Sequence, residues 1–217
     1  MLQMRNFEEH SAPIELPKAS PLIFVVSGPS GVGKDSVVDQ LKPRRPEIHY
    51  TITVTTRALR VGEIDGVHYH FRTEEQFKTL RDDGELFEWA EVYSHYYGVP
   101  KFELRDAIAK NQDVLVKVDV QGAATIKRLV PQAILVFIAP YSLGELLQRH
   151  LRRRTESGWD LNTRIETARN EIEAKSSFDY VIVNKQGELV RAAATFEAII
   201  AAEKSRSQPH TVSFASV

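Results

Sequence analysis

Cysteine is absent from the 217 residues, so no disulfide and no thiolate-ligated zinc can hold this fold, which fits a reducing cytoplasm. No apolar run approaches the ~20 residues that span a bilayer. The opening stretch, MLQMRNFEEH, carries acids and lacks the apolar segment of a secretory leader, so neither a membrane partner nor export is expected. Excess charge of one sign is missing too. Lys and Arg number 28 against 29 Asp and Glu, a net charge of -1, so no overall field attracts a polyanion and nucleic acid is not an expected partner. Internal repeats and low-complexity segments are also lacking. What is present, 42% apolar and 26% charged residues, suits one globular domain with small lobes.

Residues 1–20, with Pro13 and Pro17 and little periodicity, read as a loose tail, and 204–217 as a second one. Between them strand and helix patterns alternate. Leu22–Ser27 is a β-branched apolar run of strand length, and a helix from Lys34 to about Lys42 stops before Pro43. Tyr50–Thr56 and Val67–Phe71 read as neighbouring strands of a small antiparallel insertion, joined through Gly62 and Asp65-Gly66. Thr73 with Gln76 forms a capping box for a helix ending at Gly84, and Pro100–Asn111 is the next helix. Val114–Val118 and Ala133–Ile138 are buried-type strands flanking a helix near 121–129. Ser142 with Glu145 forms a second capping box, and Asp160 caps a helix to about Lys175 with Ile165, Ala168 and Ile172 on one stripe. Val181–Val183 and Leu189–Ala202 close the series. This alternation predicts an α/β fold with a parallel core sheet.

Gly28-Pro29-Ser30-Gly31-Val32-Gly33-Lys34 satisfies GxxxxGK after a predicted strand and before a predicted helix, the context of a nucleoside triphosphate phosphate loop. Glycines let successive N–H groups turn to one anion, the helix adds its positive end, and Lys34 adds a charge over the terminal phosphates. The Ser or Thr that usually follows the lysine is Asp35. A carboxylate there is either a hard-cation ligand or an acid complementing the helix dipole, with Ser36 as a further hydroxyl. Arg149, Arg152, Arg153 and Arg154 are either a solvated helix end or a second phosphate-binding cluster.

A second group of residues has the chemistry of a phosphate acceptor site. Arg57, Arg60 and Tyr69 can clamp a monophosphate, because guanidinium forks match phosphate oxygens. A buried carboxylate such as Glu88 can accept two N–H bonds from a guanine edge. Trp89 and the tyrosines are equally well explained by core packing.

Taken in order, GPSGVGK, TTRALRVGEIDGVHYHF, FEWAEVYSHYYG, DVQG, the arginine-rich stretch before Thr155-Glu156, and DYVIVN resemble the guanylate kinases over residues 22–202. The resemblance implies a three-layer P-loop nucleoside monophosphate kinase fold. Its core would be 21–49, 99–148 and 165–203, with an antiparallel GMP-binding lobe at 50–98 and a helical lid at 149–164. It implies ATP and GMP as substrates and Mg²⁺ with the ATP, while oligomeric state is left open. Residue by residue, Arg57, Arg60, Tyr69 and Tyr97 would hold the GMP phosphate, supported by Glu63. Glu88, Thr53 and Asp119 would read the guanine. Arg149 and Asn184 would lie near adenine, and Arg153 and Arg164 would reach the transferring phosphates, with Lys34 and Arg57 also catalytic.

Three positions depart from that pattern: Asp35 for Ser, Val99 for the hydroxyl residue after Tyr96-Tyr97-Gly98, and Lys117 for an acid. Val99 stands at a GMP-binding position without a hydrogen bond to give, a loss of about 0.5–1.5 kcal/mol. Lys117 and Asp119 share one strand face by the period of two, on a strand beside the phosphate loop. The acid lost at 117 therefore reappears at 35, and the expectation is a close Lys117–Asp35 ion pair. The departures also resemble ribose 1,5-bisphosphate phosphokinases, a reading that leaves Glu88 without a task. A noncatalytic guanylate-kinase-like module that binds phosphoproteins is a further alternative, one with no need for Lys34.

Overall fold

Every side chain of IFVVS, residues 23–27, is buried, and the reason is a sheet covered on both faces. The computed structural model describes residues 20–92, 94–153, 161–208 and 210, leaving aside the side chains of 150–153 and 161–165. Along the chain run β1 (Ile23–Ser27), α1 (Lys34–Leu41), β2 (His49–Tyr50), β3 (Val54–Thr55), β4 (His70–Phe71), α2 (Glu74–Asp82), β5 (Leu86–Val92) and β6 (His95–Pro100). There follow α3 (Lys101–Ala109), β7 (Val114–Lys117), α4 (Val120–Leu129), β8 (Ile134–Pro140), α5 (Leu143–Arg153), α6 (Leu161–Glu173), β9 (Tyr180–Asn184) and α7 (Leu189–Lys204).

Five strands form a parallel sheet in the order β2-β7-β1-β8-β9. Alternation sorts its side chains between two cores. Phe24, Val26, Val136 and Ile182 pack with Val37 and Leu41 of α1 and Phe196 of α7. Ile23, Val25, Val114 and Leu135 pack with Leu104 of α3 and Ile126 of α4. Burial of both faces explains why these strands read as continuous apolar runs. It also places the loop after central β1 at the carboxyl edge of the sheet, where ligands of such folds bind.

The second sheet has the order β4-β3-β6-β5 and is mixed. The stretch expected as one strand, Tyr50–Thr56, is divided between the two sheets: β2 pairs with β7, and β3 with β6. Its partner β4 runs parallel to β3, not antiparallel; the antiparallel pairs are β3 with β6 and β5 with β6. Strands β5 and β6 went unread in the sequence because charged and aromatic residues fill them. The expected boundary at 98–99 falls inside β6, which runs on to Pro100. Thr73 and Gln76 form the full capping box. At Ser142 only half of one forms: its hydroxyl accepts from the Glu145 N–H at 3.1 Å, while the Glu145 carboxylate is drawn to Arg149.

Candidate active site

The phosphate loop turns at Gly33, whose φ of 95° lies in the left-handed region. A Cβ there would come within 2.6 Å of the Asn184 amide, so backbone and neighbour both demand glycine. Gly33 offers α1 no side-chain cap, and the first N–H groups of the helix face the loop, the arrangement that receives phosphate. Lys34 Nζ donates to the carbonyls of Gly28 at 2.6 Å and Pro29 at 3.2 Å. Burial lowers its pKa, an effect that Glu171 and Asp35 oppose and Lys117 reinforces.

A cleft of about 340 Å³ opens beside the loop, lined in part by Gly31, Gly33, Ser36, Arg149 and Asn184, within the size range of small-ligand pockets. Arg149 donates to the carbonyls of Val32 at 2.6 Å and Asn184 at 2.7 Å, and the Asn184 amide donates to Val32 at 2.8 Å. These bonds brace the loop against α5 and β9. One residue of this site is not evident in the sequence: Glu171, whose carboxylate accepts from the Ser30 N–H at 3.2 Å. Burial raises its pKa, with Lys34 and the Ser30 N–H pulling the other way. Its only signal was an acid set between Ala168 and Ile172 in the apolar stripe of α6.

Across the sheet edge, Arg57 is nearly buried and its guanidinium is fixed by Glu63, at 2.7 and 3.0 Å, and by the Ala58 carbonyl at 2.6 Å. It lies over the rings of Tyr69, at 5.4 Å, and Phe71, and Tyr69 meets Tyr97 edge-on at 6.2 Å. Glu63 also accepts from the Arg60 N–H at 2.8 Å. Arg57, Tyr69, Tyr97 and Glu63 therefore lie together, and Arg60 joins them through its backbone N–H. Trp89, by contrast, is 43% exposed.

Glu88 is 4% exposed and, among the described residues, its carboxyl accepts no hydrogen bond from the protein. A register shift between Leu86 and Glu88 marks a bulge in β5, and Leu86, Phe87 and Glu88 are all buried there, ahead of the exposed Trp89 and Glu91. Glu88 faces the first turn of α4, where a Cβ on Gly122 would lie 2.7 Å from its Oε1. The glycine of DVQG thus makes room for the carboxyl. Burial, helped by the Asp119 charge, pushes the Glu88 pKa up to about 8. Asp119 itself caps α4 through the Gly122 N–H at 2.7 Å. Thr53 is buried, with its hydroxyl 3.5 Å from the Lys117 carbonyl. Val99 is fully buried among Ile23, Val25 and Leu104, so it is a core residue and presents nothing polar to the site.

Lys117 and Asp35 are ion-paired, as the exchange of charges required. Among the described residues no group of three or more His or acidic side chains converges on a metal position. Ser36 and the Asp35 side chain, 61% exposed at the mouth of the loop though its carboxylate also holds the Lys117 ammonium, are the groups that would face a Mg²⁺ whose other ligands come from phosphate and water. The side chains of Arg153 and Arg164, the Asp160 cap and residues 154–160 of the expected lid lie outside the described residues.

The guanylate kinase family model matches residues 20–203. The chain is 44% identical over 197 residues to guanylate kinase 2, chloroplastic/mitochondrial, of Oryza sativa subsp. japonica, covering 90% of this chain and 69% of that one. It is 41% identical over 185 residues to the guanylate kinase of Desulfitobacterium hafniense, covering 85% and 92%. The crystal structure of guanylate kinase from Anaplasma phagocytophilum superposes with a TM-score of 0.71 at 34% identity, over 87% of this chain and 89% of that one. With a glycine loop on one side of the sheet edge, Arg57 among tyrosines and a buried acid on the other, and these likenesses along nearly its whole length, the chain belongs to the guanylate kinase family.

Proposed function

We propose that the protein transfers the γ-phosphoryl group of ATP to GMP, giving ADP and GDP, in cytoplasmic purine nucleotide metabolism. The observation that carries this reading is Glu88: a buried carboxyl with no protein partner among the described residues, given space by Gly122, at the acceptor side of a phosphate loop. Leaving such a group unpartnered is costly, and a ligand offering two N–H donors repays that cost. Guanine does so through N1 and N2; a ribose bisphosphate has no such pair, which disfavours the sugar as acceptor.

A GMP phosphate oxygen attacks the γ-phosphorus as the bond to the bridging β,γ-oxygen breaks and ADP departs with that oxygen. Phosphoryl transfer needs alignment and charge neutralisation, with no covalent protein intermediate. Lys34, released from the Gly28 and Pro29 carbonyls, meets the terminal phosphates, while Gly28 through Ser36 cradle the chain of them. Arg57, with Arg60, Tyr69 and Tyr97, fixes the acceptor phosphate, and Glu63 holds Arg57 in place. Glu88 reads the base with Thr53 and Asp119. Arg149 and Asn184 form the adenine wall. The resemblance assigns Arg153 and Arg164 to the transferring group and 149–164 to a lid that closes 50–98 against the core segments 21–49, 99–148 and 165–203 to exclude water. Mg²⁺ held near Asp35 and Ser36 supplies charge neutralisation to the triphosphate when bound.

A coupled assay across GMP, AMP, UMP and ribose 1,5-bisphosphate tests the assignment. GMP is the acceptor expected to turn over. Turnover on the sugar alone, or phosphopeptide binding with no ATP consumed, would overturn it. Lys34→Ala is expected to lower kcat by roughly 10²–10³ while sparing GMP binding measured by calorimetry.

A further inference from the structure

Lys117 ends β7 with its Cα opposite Val26 of β1, one residue before the strand gives way to the phosphate loop. Its side chain is largely enclosed, 19% exposed. The ammonium is bonded to the Asp35 carboxylate in the first turn of α1 and lies 4.8 Å from the centre of the Tyr69 ring. Tyr69 carries Arg57 at 5.4 Å. One lysine thus touches the donor loop through Asp35 and the acceptor clamp through Tyr69. Burial opposes its charge, but Asp35 and Tyr69 outweigh burial and raise its pKa, keeping it cationic through the neutral range. Its charge is also felt at Lys34. Two ammonium groups therefore flank the gap that two phosphate-bearing substrates must share.

We propose that Lys117 is a positioning residue for phosphoryl transfer, a cation held by Asp35 and aimed at the acceptor phosphate as it approaches the donor loop. This rests on the assignment of GMP as acceptor. Bringing an anionic phosphate to the terminus of a polyanion is opposed by like charge, and a largely enclosed, preorganised cation in that gap offsets the repulsion without reorganisation at the moment of transfer. The competing reading is that Lys117 and Asp35 merely neutralise each other. The two readings differ in sign. If the pair is only mutual, removing either partner harms equally and removing both restores function. If Lys117 serves the phosphate, removing Asp35 leaves the useful charge in place.

The test uses the full chain as wild type, Lys117→Met, Lys117→Arg, Asp35→Asn and the Lys117→Met/Asp35→Asn double variant. GMP binding is read by calorimetry without ATP, turnover by a coupled assay, and folding by thermal melting. Lys117→Met is expected to weaken GMP binding about tenfold and to lower kcat/KM for GMP about a hundredfold, with KM for ATP changed by less than about threefold. Lys117→Arg is expected to stay within about fivefold of wild type. Asp35→Asn should bind GMP as well as wild type or better, and the double variant should be as weak as Lys117→Met. Equal losses of ATP-free GMP binding in the two single variants with recovery in the double, or wild-type GMP binding by a folded Lys117→Met, would overturn the proposal. A wild type that neither binds nor phosphorylates GMP would instead sink the acceptor assignment. Should Lys117→Met fail to melt cooperatively, the contrast between Lys117→Arg and Asp35→Asn in GMP binding without ATP decides: loss of that binding in Asp35→Asn with a melting point kept argues against the phosphate role.

Discussion

Glu88 shows how one residue can connect acidity, stability and recognition. Its carboxyl, ordinarily half-titrated near pH 4.5, is held protonated up to about pH 8 by burial and by Asp119. Between those values the folded protein binds a proton that the unfolded chain does not, so this group's contribution to stability falls as pH rises through that window. Guanine needs the ionised form, so binding GMP at pH 7 must expel the proton. Calorimetry in two buffers of different ionisation enthalpy should therefore find release of roughly one proton at pH 7 and almost none at pH 9. GMP affinity should climb to about pH 8 and then level. No proton release at pH 7 would mean that Glu88 is already charged. At this scale the residue types were legible in the sequence: the arginines, Lys34, Glu88 and the Asp35–Lys117 exchange were all readable from chemistry or resemblance. The burial of Val99 and the Ser30–Glu171 bond were not, because nothing local distinguishes an apolar residue beside a site from one beneath it.

At the scale of elements, the most exposed dependence on local sequence is α2. Its one buried side chain is Phe77, stacked on Tyr96 at 5.3 Å. With one fully buried side chain and Leu80 partly buried beside it, the capping box carries a large share of the helix's definition: Thr73 Oγ1 accepts from the Gln76 N–H at 3.2 Å, and the Gln76 side chain accepts from the Thr73 N–H at 3.0 Å. Thr73→Ala is expected to cost about 1 kcal/mol in urea unfolding with an unchanged m value. A cost near zero would show that the packing of Phe77 and Leu80 holds the helix without the cap. Periodicity disclosed this helix and the strands of the parallel sheet, since each is specified by its own side chains. It failed for β5 and β6, where Glu88, Trp89, Glu91, Tyr96 and Tyr97 are placed by strand pairing and by site chemistry together.

For the whole molecule, the parallel and mixed sheets are joined by more than the chain that passes between them. Glu103 of α3, 5% exposed, lies 2.5 Å from His49 Nε2 on β2 and 3.5 Å from His70 Nε2 on β4. Burial would raise its pKa, but hydrogen bonds and charge from the two imidazoles prevail and lower it. A depressed carboxylate contributes stability that is fully present above about pH 4.5 and is lost as pH falls through its folded pKa. Glu103→Gln is therefore expected to destabilise the protein by about 1–3 kcal/mol at pH 7, with the difference in melting temperature from wild type shrinking below about pH 4. A difference that stayed constant with pH would show that only packing was lost.

The sequence by itself determined the phosphate loop, the apolar strands around it and the capping of α2, because each depends on residues within a few positions of one another. It also determined the charge exchange between Asp35 and Lys117, since the period of a strand and a known loop place both at one edge. Tertiary structure alone decided the division of residues 50–56 between two sheets, the parallel pairing of β4, the burial of Glu88 and the room that Gly122 leaves for it. Each of these is set by a partner far along the chain, and distance along the chain leaves no local pattern to read.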